Sequence, residues 1–147
     1  MRIAVGSDHG GFGLKRELLG KLRAAGHDVV DLGTDGEASV DYPLYAASVA
    51  CEVAQGRCQR GVLVCGTGIG VSIAANKVKG IRAALVHDET TARLAAQHND
   101  ANVLCLGGRL LATELAWELV QVWLKTPFEA RHQRRLDQVS ELEERGS

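Results

Sequence analysis

What this sequence lacks narrows its function before any motif is read. No stretch of its 147 residues approaches the roughly 18 consecutive apolar positions of a membrane span. Neither sign of charge dominates: 17 Lys and Arg against 18 Asp and Glu leave a formal charge of -1. Nothing global therefore draws the chain to nucleic acid or to an anionic membrane, and any anion site must be local. The four cysteines, Cys51, Cys58, Cys65 and Cys105, contain no Cys-x-x-Cys pair, which removes the common zinc-ribbon and thioredoxin spacings and makes free thiols the expectation. The opening Met1-Arg2-Ile3-Ala4-Val5 enters a strand-like run without the segments of a signal peptide, so a cytoplasmic location is expected. Without internal repeat, low-complexity tract or linker, residues 1–147 read as a single domain.

The composition that is present, 46% hydrophobic, suits a packed core. Short apolar runs alternate with longer amphipathic ones, the pattern of repeated βα units and a mostly parallel sheet. Strands are expected at Arg2-Gly6, Asp28-Leu32, Gly61-Cys65, Arg82-Val86 and Asn102-Leu106. Leu14, Leu18, Leu19 and Leu22 mark a first helix ending near Gly26. A second follows Tyr42-Pro43 with Ala46, Val49, Ala50 and Val53 inward, the proline sitting where no amide donor is needed. A third begins near Gly68 and carries Ile69, Ile73 and Ala74. The fourth, capped by Asp88 or Thr90, carries Ala92, Leu94 and Ala95. The fifth spans about Thr113-Leu124 with Leu115, Leu119, Val122 and Trp123 as its buried stripe, so both tryptophans read as packing residues. After Thr126-Pro127, a last helical segment over about 128–145 has only the thin stripe Leu136, Val139 and Leu142. It either closes its own sheet or docks on a partner subunit.

Ligands of parallel α/β sheets bind beyond the carboxyl ends of the strands, and those ends are polar here. After the first strand comes Gly6-Ser7-Asp8-His9-Gly10-Gly11, after the third Gly66-Thr67-Gly68-Ile69-Gly70, and after the fifth Gly107-Gly108-Arg109. The 66–70 loop leads from strand to helix, and its glycines let backbone amides approach an anion closely. It lacks the Gly-Lys-Ser/Thr of a nucleotide-binding loop, and Val71 stands where a dinucleotide fingerprint needs its third glycine, which sets nucleotide cofactors aside. Cys65 directly precedes this cradle, placed to act as base or nucleophile. Asp8-His9 can bind hydroxyls or phosphate or simply cap a helix, and His98-Asn99 can be a helix-end arrangement. Arg131 and Arg135, four apart on one expected helix face beside His132 and Arg134, can form a fork for a phosphate dianion or a solvated charged face. His27 reads as surface and His87-Asp88 as a cap; Cys51 and Cys105 read as buried packing residues, and Cys58 has no evident chemical partner.

In this order the segments Gly6-Ser7-Asp8-His9-Gly10-Gly11, Asp41-Tyr42-Pro43, Gly66-Thr67-Gly68-Ile69-Gly70, Ser72-Ile73-Ala74-Ala75-Asn76-Lys77, Gly80-Ile81-Arg82-Ala83, Gln97-His98-Asn99-Asp100, Gly107-Gly108-Arg109 and Arg131-His132-Gln133-Arg134-Arg135 resemble the type B ribose-5-phosphate isomerases and their galactose-6-phosphate and allose-6-phosphate isomerase relatives. The resemblance covers almost the whole chain. It implies a Rossmann-like, three-layer α/β/α fold on a five-stranded parallel sheet, and a homodimer, or a tetramer of two such dimers, with active sites at the subunit interface. It implies a small-molecule sugar phosphate as the ligand, and neither metal nor organic cofactor.

The implied reaction interconverts an aldose and a ketose phosphate through a cis-enediolate. By resemblance Cys65 is the carbon base. Other members carry a glutamate at the position of Val71, so this chain looks like the cysteine type. His98 matches the residue that opens the furanose ring, with Asp8 holding sugar oxygens. Thr67 would contact the reacting oxygens, and the amides of Gly66, Thr67, Gly68, Ile69 and Gly70, with Asn99, would stabilise the enediolate. His9, Arg109, Arg131 and Arg135 match phosphate ligands, and Tyr42 lines the sugar pocket. Pocket depth selects among tetrose, pentose and hexose phosphates. Two other classes are compatible with the residues: a sugar-phosphate-binding subunit without turnover, and a hydrolase or transferase using Cys65 as nucleophile with His98 as base.

Overall fold

The computed structural model describes residues 1–146; Ser147, the last residue of the expected domain, lies outside the described residues. Strands β1 (Arg2–Ser7), β2 (Asp28–Asp31), β3 (Arg60–Cys65), β4 (Ala83–Leu85) and β5 (Val103–Gly107) form one sheet in the order β2-β1-β3-β5-β4. Every neighbouring pair is parallel, with Ala4 opposite both Val30 and Gly61, and Leu63 opposite Cys105. The central strands are apolar at nearly every position because helices cover both faces of the sheet.

Side-chain alternation divides that core in two. Ile3, Val5, Val62, Val64, Leu104 and Leu106 point to the face covered by α1 (Phe12–Ala24), α4 (Glu89–Gln97) and α5 (Thr113–Lys125). Ala4, Leu63, Cys65, Val103 and Cys105 point to the face covered by α2 (Tyr42–Ala54) and α3 (Ile69–Ala75). The result is three layers, with a sixth helix, α6 (Gln133–Arg145), following a 3-10 turn at Ala130–His132. No helix among the described residues is long and apolar enough to cross a membrane.

The inward faces of α1 and α2 are those the sequence predicts, and Asp88 caps α4 by accepting from Thr91 N–H. Two stripes are shifted. In α3 the buried residues are Val71 and Ala75, while Ile69 and Ile73 are 50% and 57% exposed. In α5 the buried stripe is Ala116, Leu119, Val120 and Trp123, and Leu115 faces outward. In α3 the smaller residues Val71 and Ala75 take the inner positions, whereas in α5 Ala116 and Val120 join Leu119 and Trp123 there. Trp123 is a packing residue whose indole N–H donates to the Ala101 carbonyl. Cys58 and Cys105 are buried, and desolvation pushes the Cys105 thiol far above its ordinary range. His27 is half-buried rather than superficial, with Nδ1 enclosed and without a hydrogen-bond partner among the described residues. Only Leu136 of α6 is buried; Val139 and Leu142 are exposed, although Glu143 accepts from Gly80 N–H at 2.7 Å and ties the helix to its own chain.

One buried ion pair fixes the loop beside the sheet. The Lys15 ammonium, 1% exposed, donates to Asp31 Oδ1 at 2.7 Å, and the same oxygen accepts from Gly33 N–H. Gly33 and Thr34 then exchange backbone bonds with Ser7 at the end of β1. Burial alone would raise the Asp31 pKa, but the bonds from Lys15 and Gly33 outweigh it and hold the carboxyl below its usual 3.8. A lowered folded-state pKa means that this stabilisation is present above the ordinary carboxylate range and is lost as pH falls through and below it. Asp31→Asn leaves the ammonium without its counter-charge and is expected to cost about 3 kcal/mol, the low end for stranding a buried ion because Asp31 is partly open to water. Urea unfolding at pH 7 measures the loss, and the gap between wild type and variant should narrow as the pH is lowered below 4.

Candidate active site

The crevice in such a sheet lies where the chain reverses its winding direction, and here that point is between β1 and β3. From β1 the chain winds outward to β2, and from β3 it winds the other way to β5 and β4. Asp8, just past β1, caps the 3-10 turn His9–Gly11: its Oδ1 accepts from Gly10 N–H at 2.9 Å and Gly11 N–H at 3.2 Å. Capping and ligand binding, alternatives in sequence, are compatible in space because both bonds fall on one carboxylate oxygen. Gly11 is required by close approach, since a β-carbon there would lie 2.4 Å from the Val64 carbonyl oxygen. His9 Nδ1 accepts from Val40 N–H at 3.1 Å, so the neutral ring carries its proton on Nε2.

Cys65 ends β3, 5% exposed, and its sulfur accepts from Gly68 N–H at 3.2 Å. Gly68 has φ +83°, the left-handed region that favours glycine, and a β-carbon there would strike Leu85 and the Leu106 backbone. The chain can thereby turn sharply from β3 into α3. Thr67 is exposed, with Oγ1 accepting from Ile69 N–H at 3.3 Å. The amides of Gly66, Thr67 and Gly70 donate to no protein acceptor among the described residues. Arg109 N–H donates to the Gly66 carbonyl at 3.0 Å, and the Arg109 guanidinium lies over Gly66 and Gly10. The Tyr42 ring rests against Gly70. Asp8, His9, Tyr42, Cys65, Gly66, Thr67, Gly68, Ile69, Gly70 and Arg109 thus gather at the carboxyl end of the sheet.

The other predicted residues gather at the opposite end. α4 runs back antiparallel to the strands, so His98, its C-cap, and Asn99 precede the start of β5. Between Val103, opposite Gly61, and Gly107, opposite Cys65, lie four strand steps, about 13 Å. One chain therefore does not bring His98 to Cys65. His98 instead stacks on His132, with ring centroids 4.3 Å apart and planes inclined by 35°. Glu129 N–H donates to the Gln97 carbonyl, which ties the 3-10 turn to the end of α4. Arg131 and Arg135 do not share one helix face as expected: Arg131 lies in the 3-10 turn and donates to Glu129 at 2.7 Å, while Arg135 lies in α6 and reaches His132 Nδ1 at 3.3 Å. The cause is the chain direction at residue 132, where the tighter turn gives way to α-helix. The hydrogen bond from Arg131 holds the Glu129 carboxyl below its ordinary range, against a smaller opposing effect of burial. Desolvation first, then Arg131, His98 and Arg135, lowers the His132 pKa.

His98, Glu129 and His132 offer one donor atom each within 4.8 Å of one another, a set that resembles a metal site. Their hydrogen bonding argues otherwise. A guanidinium only donates, so Arg135 makes His132 Nδ1 the acceptor and leaves the proton on Nε2, without a lone pair for a cation. Arg131 and Arg135 add positive charge beside the same ring. Glu129 escaped sequence reasoning because nothing in its neighbourhood marks it, whereas His132 was visible among the arginines without an assigned role.

Comparisons with known proteins show which family the chain resembles. Residues 3–139 match the Ribose/Galactose Isomerase family model. The chain is 46% identical over 145 residues to ribose-5-phosphate isomerase B of Escherichia coli, covering 98% of this chain and 97% of that protein. A Clostridium thermocellum ribose-5-phosphate isomerase B structure superposes with a TM-score of 0.98 at 49% identity, with both chains covered fully at 100%. The ribose-5-phosphate isomerase B of Mycoplasma genitalium, crystallised with bound ribulose-5-phosphate, superposes with a TM-score of 0.93 at 44% identity, covering 97% of this chain and 96% of that one. With the family model matched over most of its length, and relatives this similar spanning nearly all of it, the chain belongs to the ribose/galactose isomerase family.

Proposed function

We propose that this protein interconverts ribose 5-phosphate and ribulose 5-phosphate, with Cys65 as the carbon base. The observation that carries the reading is the Cys65 sulfur, fixed by Gly68 N–H at the edge of a loop whose Gly66, Thr67 and Gly70 amides donate to no acceptor among the described residues. Abstracting a proton beside a carbonyl requires stabilising the oxygen that becomes negative, and each well-aimed donor in such a site contributes on the order of 3 kcal/mol. Base and donors must be neighbours, and here they are contiguous in the chain.

Opening of the furanose breaks the bond between C1 and the ring oxygen, and a hydrogen passes from the C1 hydroxyl to that oxygen, mediated by His98. The Cys65 thiolate then takes the proton from C2, and the electron pair moves to the carbonyl oxygen to give the cis-enediolate. That charge rests on the amides of the 66–70 loop and on Asn99, with Thr67 at the reacting oxygens. The proton returns to C1, and exchange of the hydroxyl proton between O2 and O1 completes the ketose. Asp8 accepts from sugar hydroxyls through the oxygen not used for capping. His9 donates from Nε2 to the phosphate, and Arg109, Arg131 and Arg135 neutralise it. Tyr42 walls the pocket. No step requires a metal or organic cofactor.

The proposed working unit is a homodimer, in which the carboxyl end of one sheet faces the His98 end of another. The separation of the two halves within one chain supports it. So do the exposed apolar side chains beside each half: Tyr42, Leu44, Ile69 and Ile73 near the Cys65 loop, and Val139 and Leu142 on α6. The segment over about 128–145 is thus proposed to dock on the partner while Leu136 anchors it to its own chain. The ribose-5-phosphate isomerase names of the relatives support our assignment of the protein to pentose phosphate metabolism in the cytoplasm.

Cys65→Ala is expected to lower kcat on ribose 5-phosphate by about 10^3-fold with a much smaller change in KM, as for loss of a general base. Assays with tetrose and hexose phosphates run beside it. Activity confined to another chain length reassigns the substrate, and binding without turnover in the wild type identifies a non-catalytic subunit.

Shared sites have a separate test. Cys65→Ala and His98→Asn chains, each strongly impaired in net conversion alone, should recover about a quarter of wild-type activity when mixed and allowed to exchange, because half the dimers are mixed and each holds one intact site. Failure to recover activity, with exchange confirmed by mass, would place both groups in one chain.

A further inference from the structure

The cluster at the end of α4 holds a buried polar atom without a partner. His132 is 7% exposed, and its Nε2 makes no hydrogen bond among the described residues. The Arg135 guanidinium at Nδ1 assigns the proton of the neutral ring to Nε2, so the unpartnered group is a donor. Buried donors are rarely left unmade in folded proteins, and one that persists beside a chemically active group calls for an explanation. The groups facing this ring are Glu129 and Arg131 from its own turn, Arg135 from α6 and His98 from α4. Glu129 Oε2 lies 3.9 Å from His132 Nε2, too far for a hydrogen bond. The His98 ring is stacked at 4.3 Å, with one of its nitrogens within 4.8 Å of a His132 nitrogen, so His98 is the neighbouring ring whose reorientation can supply an acceptor for the free N–H.

We propose that His132 is a positioning residue for sugar-ring opening: its Nε2–H donates to the facing nitrogen of His98 and leaves the proton of neutral His98 on the nitrogen turned toward the sugar. The assignment rests on the isomerase reading and deepens it. In ring opening, hydrogen passes from the C1 hydroxyl to the ring oxygen. An outward N–H on His98 delivers the proton to the ring oxygen and regains one from the C1 hydroxyl. With the other tautomer, His98 would present only a lone pair and could not begin as an acid. Arg135 extends the arrangement to the phosphate, since a guanidinium has enough donors to hold His132 Nδ1 and a phosphate oxygen together.

Ribulose 5-phosphate in D2O separates this role from a structural one. Deuteration at C1 reports formation of the enediolate alone, whereas appearance of ribose 5-phosphate also includes ring closure. His132→Asn keeps an acceptor for Arg135 but places no N–H at the Nε2 position. It is expected to slow net formation of ribose 5-phosphate by at least about ten-fold while C1 deuteration stays within about two-fold of wild type. His132→Gln, whose amide N–H can reach that position, should restore net formation to within about three-fold. His98→Asn should show the same split. The proposal is overturned if His132→Asn behaves as wild type, if both rates fall in parallel, or if His132→Gln is no better than His132→Asn. Wild-type protein that neither incorporates deuterium at C1 nor forms ribose 5-phosphate overturns the isomerase reading itself, a result distinct from any of these.

Discussion

The polarity of a parallel sheet governs everything else in this molecule. Every strand runs the same way, so every connecting helix returns the opposite way. Strand ends and helix beginnings collect at one edge of the molecule, and helix ends and strand beginnings collect at the other. The Cys65 loop, Asp8, His9 and Arg109 belong to the first edge by this rule, and His98 with Asn99 belongs to the second. A residue after β3 and one after α4 cannot meet within such a sheet. The proposed dimer is thus the simplest arrangement by which two chains combine what one chain must keep apart.

At the first edge, rigidity comes from backbone packed against backbone. Gly11 rests on the Val64 carbonyl, Gly108 on Gly10 and Gly11, and Gly10 against Gly66. Gly108 N–H and Arg109 N–H donate to the Cys65 and Gly66 carbonyls, joining the loop after β5 to the loop after β3. Three loops lock together without side chains between them. The free amides of the 66–70 segment consequently sit on a base that has little room to relax, which suits donors that must be oriented before charge develops.

Much of this fold was legible in the sequence because strands buried on both faces must be apolar throughout. All five strands lie within two residues of the predicted ends. Asp88 and Pro43 marked helix starts for reasons local to the chain. The failures have a common origin in tertiary packing. In α3 the inner positions are Val71 and Ala75, and in α5 Ala116 and Val120 share them with Leu119 and Trp123, while Ile69, Ile73 and Leu115 turn outward. A hydrophobic pattern ranks the larger residues first and so mistakes the stripe. The Cys65 loop was readable as contiguous chemistry, whereas Glu129 acquires meaning only from the fold that brings it to the end of α4.

Histidine tautomers lie at a still deeper level than position, and they divide the labour in this site. His9 Nδ1 accepts from a backbone N–H and His132 Nδ1 lies against a guanidinium, and both partners can only donate. Each ring is consequently held with its proton on Nε2 when neutral. For His9 that N–H suits an anion at the glycine loops; for His132 it faces another imidazole, where a second positive charge would be repelled. Burial and neighbouring cations, which lower the His132 pKa, favour its neutral form, so in the proposed mechanism His98 would be the ring of this pair that exchanges protons. In the proposed mechanism the arginines would have two functions that reinforce each other, attraction of the phosphate and suppression of a charged His132 beside His98.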